Sequence, residues 1–130
     1  MGHDGQDRVR HTSSVRSFGY AIDGLAYLVR TQPTFRIHLL VALAVMAAGA
    51  ASDLSTVEWA ILIVTIALVM MTEGLNTGIE LAVTLASPER RPEAKAAKDI
   101  AAGAVLLVAI ASIGVGVTLF GPRVIALLRP

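Results

Sequence analysis

The residues best suited to chemistry form a short stripe that directly follows a long apolar run. Glu73, Asn76 and Glu80 recur at spacings of three and four, so on a helix that advances about 100° per residue they share one face. Thr77 and Thr84 fall in the same sector. A charge in a membrane-spanning helix costs about 2.5–3.5 kcal/mol at the bilayer centre, so it usually faces a partner, a cavity or an ion. The stripe is therefore the candidate site; the alternative is a helix that has emerged into water with ordinary surface residues.

Two carboxylates and a carboxamide in one stripe suit phosphoryl transfer. That reaction needs a divalent cation on phosphate oxygens, a cation for the developing charge and a carboxylate that takes a hydroxyl proton. Glu80 can hold Mg²⁺, Lys98 can pair with phosphate and Glu73 can act as the base. The nucleotide motifs G-x-x-x-x-G-K-[ST] and G-x-G-x-x-G do not occur in the sequence. A nucleophilic triad is not indicated, and His38 is interpreted as an interfacial polar residue rather than a catalyst.

Composition points to the bilayer as the solvent. Of the 130 residues, 55% are hydrophobic and 16% are charged, as in a small membrane protein, and residues 15–130 are predicted to form one domain. The formal net charge is +1, so no global field favours nucleic acid, and nucleic acid is not expected as a partner. The chain has no cysteine, which excludes a disulfide framework, thiolate metal sites and a cysteine nucleophile.

The N-terminal part of the chain is predicted to hold a tail, a surface helix and a first span. Residues 1–14 are polar and contain no apolar signal segment, so we expect a disordered cytoplasmic tail. Over about 15–30, apolar residues recur every three or four positions, which is typical of an amphipathic helix at the membrane surface or against a neighbour. Pro33 breaks this helix and begins the next one, which contains the first span over about 36–52.

Two further spans complete the predicted all-α membrane protein. Ser55 or Thr56 is expected to cap the second span, over about 57–86, which carries the stripe. A charged connection leads to a third span over about 98–120, and the last 21 of these residues carry no charge. Gly121-Pro122 is expected to end the third helix, because proline cannot donate the next backbone hydrogen bond.

Basic residues predict the orientation of the chain. They are frequent before the first span and between the second and third, and they are absent from the turn between the first and second. The positive-inside rule therefore places the N-terminus and the second connection in the cytoplasm, with Arg123 and Arg129 outside as a mild conflict. This topology gathers six polar residues at the membrane face where ATP is found: Gln32, Glu73, Asn76, Glu80, Lys98 and Asp99.

Several motifs resemble the prokaryotic diacylglycerol kinase family, small integral-membrane lipid kinases that include undecaprenol kinase. Residues 73–80, EGLNTGIE, are similar to the family's E-x-x-N-[ST]-x-I-E motif. Residues 35–38, FRIH, and 97–106, AKDIAAGAVL, also match in the family's order. The resemblance extends over roughly residues 15–120.

This resemblance implies ATP- and Mg²⁺-dependent transfer of phosphate to the hydroxyl of a membrane lipid, at the cytoplasmic face of the bacterial inner membrane. It implies a homotrimeric bundle with active sites shared between protomers. Glu73 would be the catalytic base and would contact the lipid together with Ala102, and Glu80 and Gln32 would bind metal. The residues implied for ATP binding are Tyr20, Gln32, Asn76, Glu80, Glu89, Arg90, Arg91, Lys98 and Asp99.

The chain departs from the family at a few positions. Gln32 stands where a second metal-binding glutamate is expected, so binding of one or of two metal ions stays open. Gly74 and Gly78 lie within the catalytic stretch and indicate either close packing or room for lipid. Undecaprenol and diacylglycerol are rival acceptors, and residues 35–38 look more like undecaprenol kinases. A different class, a non-catalytic membrane subunit that uses its carboxylates for helix contacts, is the alternative.

Overall fold

The described part of the chain forms four helices, three of them long and apolar. The computed structural model describes residues 14–89 and 91–129, and each regular element in these residues is an α-helix. The helices α2, α3 and α4 are long and apolar enough to cross a membrane, which confirms the predicted all-α membrane fold. The predicted tail lies outside the described residues, except for Ser14. The helices are α1 (Ser14–Thr31), α2 (Pro33–Ala50), α3 (Thr56–Ala86) and α4 (Pro92–Leu128).

Local sequence signals set the start of the helices. Pro33 occupies the first turn of α2, where its missing N–H would have no helical partner. Ser55 is the N-cap of α3, as predicted. Its Oγ accepts the Glu58 N–H at 3.3 Å, and Glu58 Oε2 accepts the Ser55 N–H at 2.8 Å. This reciprocal capping box satisfies two backbone donors that a helix start otherwise leaves free.

The last helix extends beyond its predicted end. The prediction that Gly121-Pro122 stops it is wrong, because α4 continues to Leu128 with Pro122 inside the helix. Proline in a helix interior removes one backbone hydrogen bond and crowds the preceding turn. The next residue, Arg123, supplies contacts that offset this loss.

Arg123 joins the end of α4 to the turn between α2 and α3. Its Nε donates to the Ser52 carbonyl oxygen at 2.8 Å, and its Nη1 and Nη2 donate to Glu58 Oε1 and Oε2 at 2.9 and 3.0 Å. Nη1 also donates to the carbonyl oxygen of Leu119, one turn back on α4. We call Ser52, Glu58, Leu119 and Arg123 the arginine clamp. It holds the turn that follows Pro122 against α3.

The central helix of the fold is α3. The largest helix interface is between α3 and α4, while α2 packs on α3 and α1 contacts both α2 and α3. At the end of α2, a Cβ on Gly49 would lie 3.0 Å from Leu54 Cδ1 and 3.1 Å from Trp59 Cη2. A side chain there would be tightly packed, because Leu54 and Trp59 would have to shift by a few tenths of an ångström to admit it.

Few side chains are buried in the part of the chain that the structure describes. Large apolar side chains along α2, α3 and α4 are mostly exposed, as expected for surfaces that lipid or another protein covers. The buried apolar residues are Phe35, Leu62, Ala101 and Leu119. Two polar side chains, Glu73 and Thr77, are equally enclosed. Acidic residues are seldom buried without a partner, so Glu73 is a candidate functional residue.

Candidate active site

Glu73 lies within α3 and faces α2. It is 5% exposed, and His38 Nε2 lies 3.0 Å from its Oε1. The two atoms are close enough for a hydrogen bond but not aligned for one, so Oε1 is buried without a hydrogen-bond partner. Leaving a buried polar group unpaired costs about 1–3 kcal/mol, and more when it is charged. A donor is therefore expected to reach this oxygen.

The sequence interpretation of His38 missed this contact. His38 lies in the first turns of α2. Its side chain is only 22% exposed and contacts Glu73, instead of extending into the membrane–water interface. Helical spacing shows which residues share a face of one helix, but it does not show which residue of another helix lies opposite. The sequence carried two signals for His38: it belongs to the family-like motif at residues 35–38, and the two other histidines, His3 and His11, precede the first predicted helix.

Asn76 and Thr77 extend the enclosed face by one turn. Thr77 is 5% exposed, and Asn76 is half-buried with an enclosed Oδ1 that has no hydrogen-bond partner. Asn76 follows Glu73 by three residues, so the two side chains are neighbours on α3. We call His38, Glu73, Asn76 and Thr77 the acidic cluster. It presents two enclosed acceptor oxygens within one helical turn, an environment that suits a hydroxyl group or a cation.

An apolar groove lies beside the acidic cluster, between α1 and α3. Its volume is about 330 Å³, and Gly74, Thr77, Gly78 and Leu81 form its α3 side. A Cβ on Gly74 would lie 3.4 Å from Leu28 Cδ1 of α1, whereas a Cβ on Gly78 would meet open space. Gly74 thus fits the predicted close packing, and Gly78 fits the predicted room for lipid.

A second polar region lies where α3 ends and α4 begins. Lys98 Nζ donates to Thr84 Oγ1 at 3.0 Å and so connects the two helices. Lys95 pairs with Asp99 one turn later on α4. Both lysines can present an ammonium group to an anion without leaving these partners, because each ammonium has three donors.

These groups line a groove of about 550 Å³, which we call the basic groove. In the connection that closes it, Arg91 Nη2 lies 3.5 Å from Glu89 Oε2. Arg90 lies outside the described residues. Lys95 also lines the groove, although the sequence interpretation assigned it to no site, and so does Thr84, which shares the predicted sector of the polar stripe. The predicted nucleotide residues that line it are Glu89, Arg91, Lys98 and Asp99.

The remaining predicted site residues lie apart from both regions. Tyr20 is 64% exposed on α1, and Glu80 and Ala102 are exposed on α3 and α4. Gln32 is the half-buried N-cap of α2, and its Nε2 donates to Thr31 Oγ1 at 3.3 Å. The exposed members of this set are accessible to a ligand or to another protomer.

The predicted constellation is therefore divided: one part belongs to the acidic cluster on α3, a second part lines the basic groove between α3 and α4, and the rest lies outside both. Glu73 belongs to the acidic cluster and Thr84 to the basic groove, about 16 Å apart along α3 at 1.5 Å per residue. A proton acceptor at one region and phosphate-binding cations at the other can both act on one reaction only if an extended ligand or a second protomer connects them.

Metal binding would depend on the ligand as well as on the protein. Within residues 14–89 and 91–129, no three acidic or histidine side chains are grouped closely enough to hold a metal ion. Glu80 nevertheless offers an exposed carboxylate. Nucleotide-bound Mg²⁺ commonly takes only one or two carboxylates and completes its shell with phosphate oxygens and water. A Mg²⁺ ion at Glu80 would therefore need most of its ligands from a nucleotide and from water.

Comparisons with known proteins agree with the motifs. A family profile described as prokaryotic diacylglycerol kinase matches residues 19–120. The chain is similar to a diacylglycerol kinase of Synechocystis sp., with 44% identity over 113 residues, which are 86% of this chain and 65% of that protein. It is also similar to the undecaprenol kinase of Bacillus subtilis, with 40% identity over 108 residues, which are 83% of this chain and 88% of that protein. The chain therefore belongs to the prokaryotic diacylglycerol kinase family.

Proposed function

We propose that this chain transfers the γ-phosphate of ATP to the hydroxyl of a membrane lipid alcohol. The carrying observation is the carboxylate of Glu73, enclosed at 5% exposure beside an apolar groove and on the same helix as a basic groove. Family membership supports this activity. Because one relative is named for diacylglycerol and another for undecaprenol, both alcohols are candidate acceptors.

The acidic cluster supplies the proton acceptor. The acceptor hydroxyl gives its proton to Glu73, its oxygen bonds to the γ-phosphorus, and the bond from that phosphorus to the β–γ bridging oxygen breaks to release ADP. Gly78 leaves open space in the groove next to Thr77, where the apolar chain of the lipid can lie. The Asn76 amide can help to orient the hydroxyl or a phosphate oxygen.

The basic groove supplies the nucleotide site. Lys98, Lys95 and Arg91 offer cationic donors for phosphate oxygens, and the Thr84 contact holds Lys98 between the two helices. Asp99 orients Lys95 by pairing with it. Glu80 and Gln32 would hold Mg²⁺, which neutralises phosphate charge when it is bound.

A homotrimer would bring the two regions together. The separation of about 16 Å along α3 is too long for one lysine side chain to cross. Tyr20 and Ala102 are exposed in the single chain, so both are free to face a neighbouring protomer. Sharing each site between protomers would place the basic groove of one chain against the acidic cluster of another.

The proposed location is the bacterial inner membrane, with the site at the cytoplasmic face. The positive-inside pattern supports this orientation. Arg123 and Arg129 were its two exceptions, and the arginine clamp gives Arg123 a structural role at the opposite end of the helices. Arg123 is therefore weak evidence against the orientation.

The direct test offers purified protein both lipids in mixed micelles with labelled ATP and Mg²⁺. We expect one lipid or both to be labelled, and we expect Lys98→Ala to raise the KM for ATP because a phosphate-binding cation is lost. Arg129→Gln is the control, since it also removes one cation but lies at the far end of α4. Absence of labelling in both lipids with a folded protein would overturn the proposal.

A further inference from the structure

His38 of α2 contacts Glu73 of α3. Among the described residues, this is the one contact between titratable side chains of these two helices. His38 Nε2 lies 3.0 Å from Glu73 Oε1, with the two side chains 22% and 6% exposed. His38 is thus partly exposed on one side and contacts an enclosed carboxylate on the other. Neither His38 nor Glu73 lines the basic groove, so this contact belongs to the acidic cluster alone.

Glu73 Oε1 needs a donor that its own helix does not provide. This oxygen is buried without an aligned hydrogen bond, and so is Oδ1 of its neighbour Asn76. Two acceptor oxygens cannot satisfy each other. The imidazole nitrogen of His38 already lies at hydrogen-bonding distance, so a small rotation of the ring would align an N–H with the carboxylate.

We infer that His38 is a positioning residue for Glu73: its Nε2–H holds Oε1, which leaves the other carboxylate oxygen to take the proton of the acceptor hydroxyl. The inference rests on the proposed function, in which Glu73 is the base. His38 itself exchanges no proton in this step. Its role is to keep the carboxylate of α3 in one orientation relative to α2, because a freely rotating carboxylate would seldom face the hydroxyl.

Replacing His38 by Asn or by Gln tests whether the position of the donor nitrogen matters, because both replacements are polar amides and they differ in length. Gln Nε2 is the same number of bonds from the backbone as His Nε2, whereas the Asn amide nitrogen is one bond closer. We expect His38→Asn to lower kcat roughly tenfold to a hundredfold, the range for losing one hydrogen bond to a charged group, while the KM for ATP stays constant. We expect His38→Gln to recover most of kcat. Equal kcat values for wild type, His38→Asn and His38→Gln would overturn the inference.

A spectroscopic readout tests the pairing without the reaction. With His3 and His11 replaced by Asn, His38 is the only histidine in the chain, and its ¹⁵N imidazole signals can be followed in micelles at one fixed pH. Glu73→Gln should shift these signals, and Glu80→Gln, which changes an exposed carboxylate two turns along α3, should not.

The two proposals fail in different ways. An inactive but folded wild type would overturn the proposed kinase activity and with it the positioning role of His38 in that reaction, and a ¹⁵N shift in Glu73→Gln would still establish the pair. An active wild type whose imidazole signals ignore Glu73→Gln would overturn the positioning role and leave the kinase standing. An equal fall in kcat for the Asn and Gln variants, together with lower thermal unfolding midpoints for both, would assign His38 a structural role and also overturn the inference.

Discussion

Two glutamates on α3 have opposite surroundings. Glu58 accepts hydrogen bonds from the Ser55 backbone and from two nitrogens of Arg123, so both of its oxygens are satisfied within the chain. Glu73 is more enclosed, yet its Oε1 has a nearby histidine and no aligned donor. A carboxylate that is fully satisfied stabilises the fold, whereas one that is enclosed and incomplete is available for a ligand. Substitutions at the two residues should therefore affect different properties.

The largest expected effect is on the activity of Glu73→Gln. Removing a general base lowers the rate of such reactions by about 10²–10⁴-fold, and we expect a loss of that order in kcat for lipid phosphorylation. Thermal stability in detergent should stay the same or rise, because an amide is cheaper to bury than a carboxylate. A wild-type kcat in Glu73→Gln would contradict the role of Glu73 as the base, and Glu73 would then no longer differ from Glu58 in function.

The next effect is on stability, at the arginine clamp. Glu58→Gln and Arg123→Gln should each lower the thermal unfolding midpoint, since each leaves the other partner of a bidentate pair unsatisfied. Combining them should cost less than the sum of the two single changes, because the second removes an interaction already lost. Lipid kinase activity per folded molecule should persist in all three. Strict additivity would show that the clamp contributes nothing as a pair.

A smaller and selective effect is expected at the apolar groove. Gly78→Leu places a side chain in open space beside Thr77, and we expect a several-fold rise in the KM for the lipid with the KM for ATP unchanged. Gly78→Ala is the matched control, since it adds one methyl group at the same position and should change the lipid KM little. Parallel changes in both KM values for Gly78→Leu would indicate general distortion of α3 instead.

The smallest effect concerns Pro122 in α4. Pro122→Ala should raise the thermal unfolding midpoint, because alanine restores a backbone donor and relieves crowding. The gain should be below the roughly 3 kcal/mol typical of a helix interior, since this proline lies close to the end of α4. The gain in the midpoint from Pro122→Ala should be larger in the Arg123→Gln variant, because the arginine clamp no longer stabilises this end of α4 there. A lower midpoint in either background would contradict this account of the continued helix.

Much of the fold could be predicted because its signals are local. Pro33 and Ser55 mark helix starts through their own backbone chemistry, and three apolar runs are long enough to span a bilayer. Helical spacing also placed Glu73 and Thr77 on one face, and both are buried. The end of α4 was mispredicted because proline was expected to stop the helix at residue 122. The helix continues to Leu128, where Arg123 contacts residues that are distant in the sequence, such as Ser52.

The sequence alone determined the helices, their order and the polar stripe of α3, since each depends on residues within a few turns of one another. Only the tertiary structure decided that His38 faces Glu73, that Arg123 binds Glu58 and that Gly49 lies against Trp59. The register and crossing of two helices set these pairs. A periodic pattern fixes which face of a helix is used, but the residue that meets it depends on how the neighbouring helix is placed.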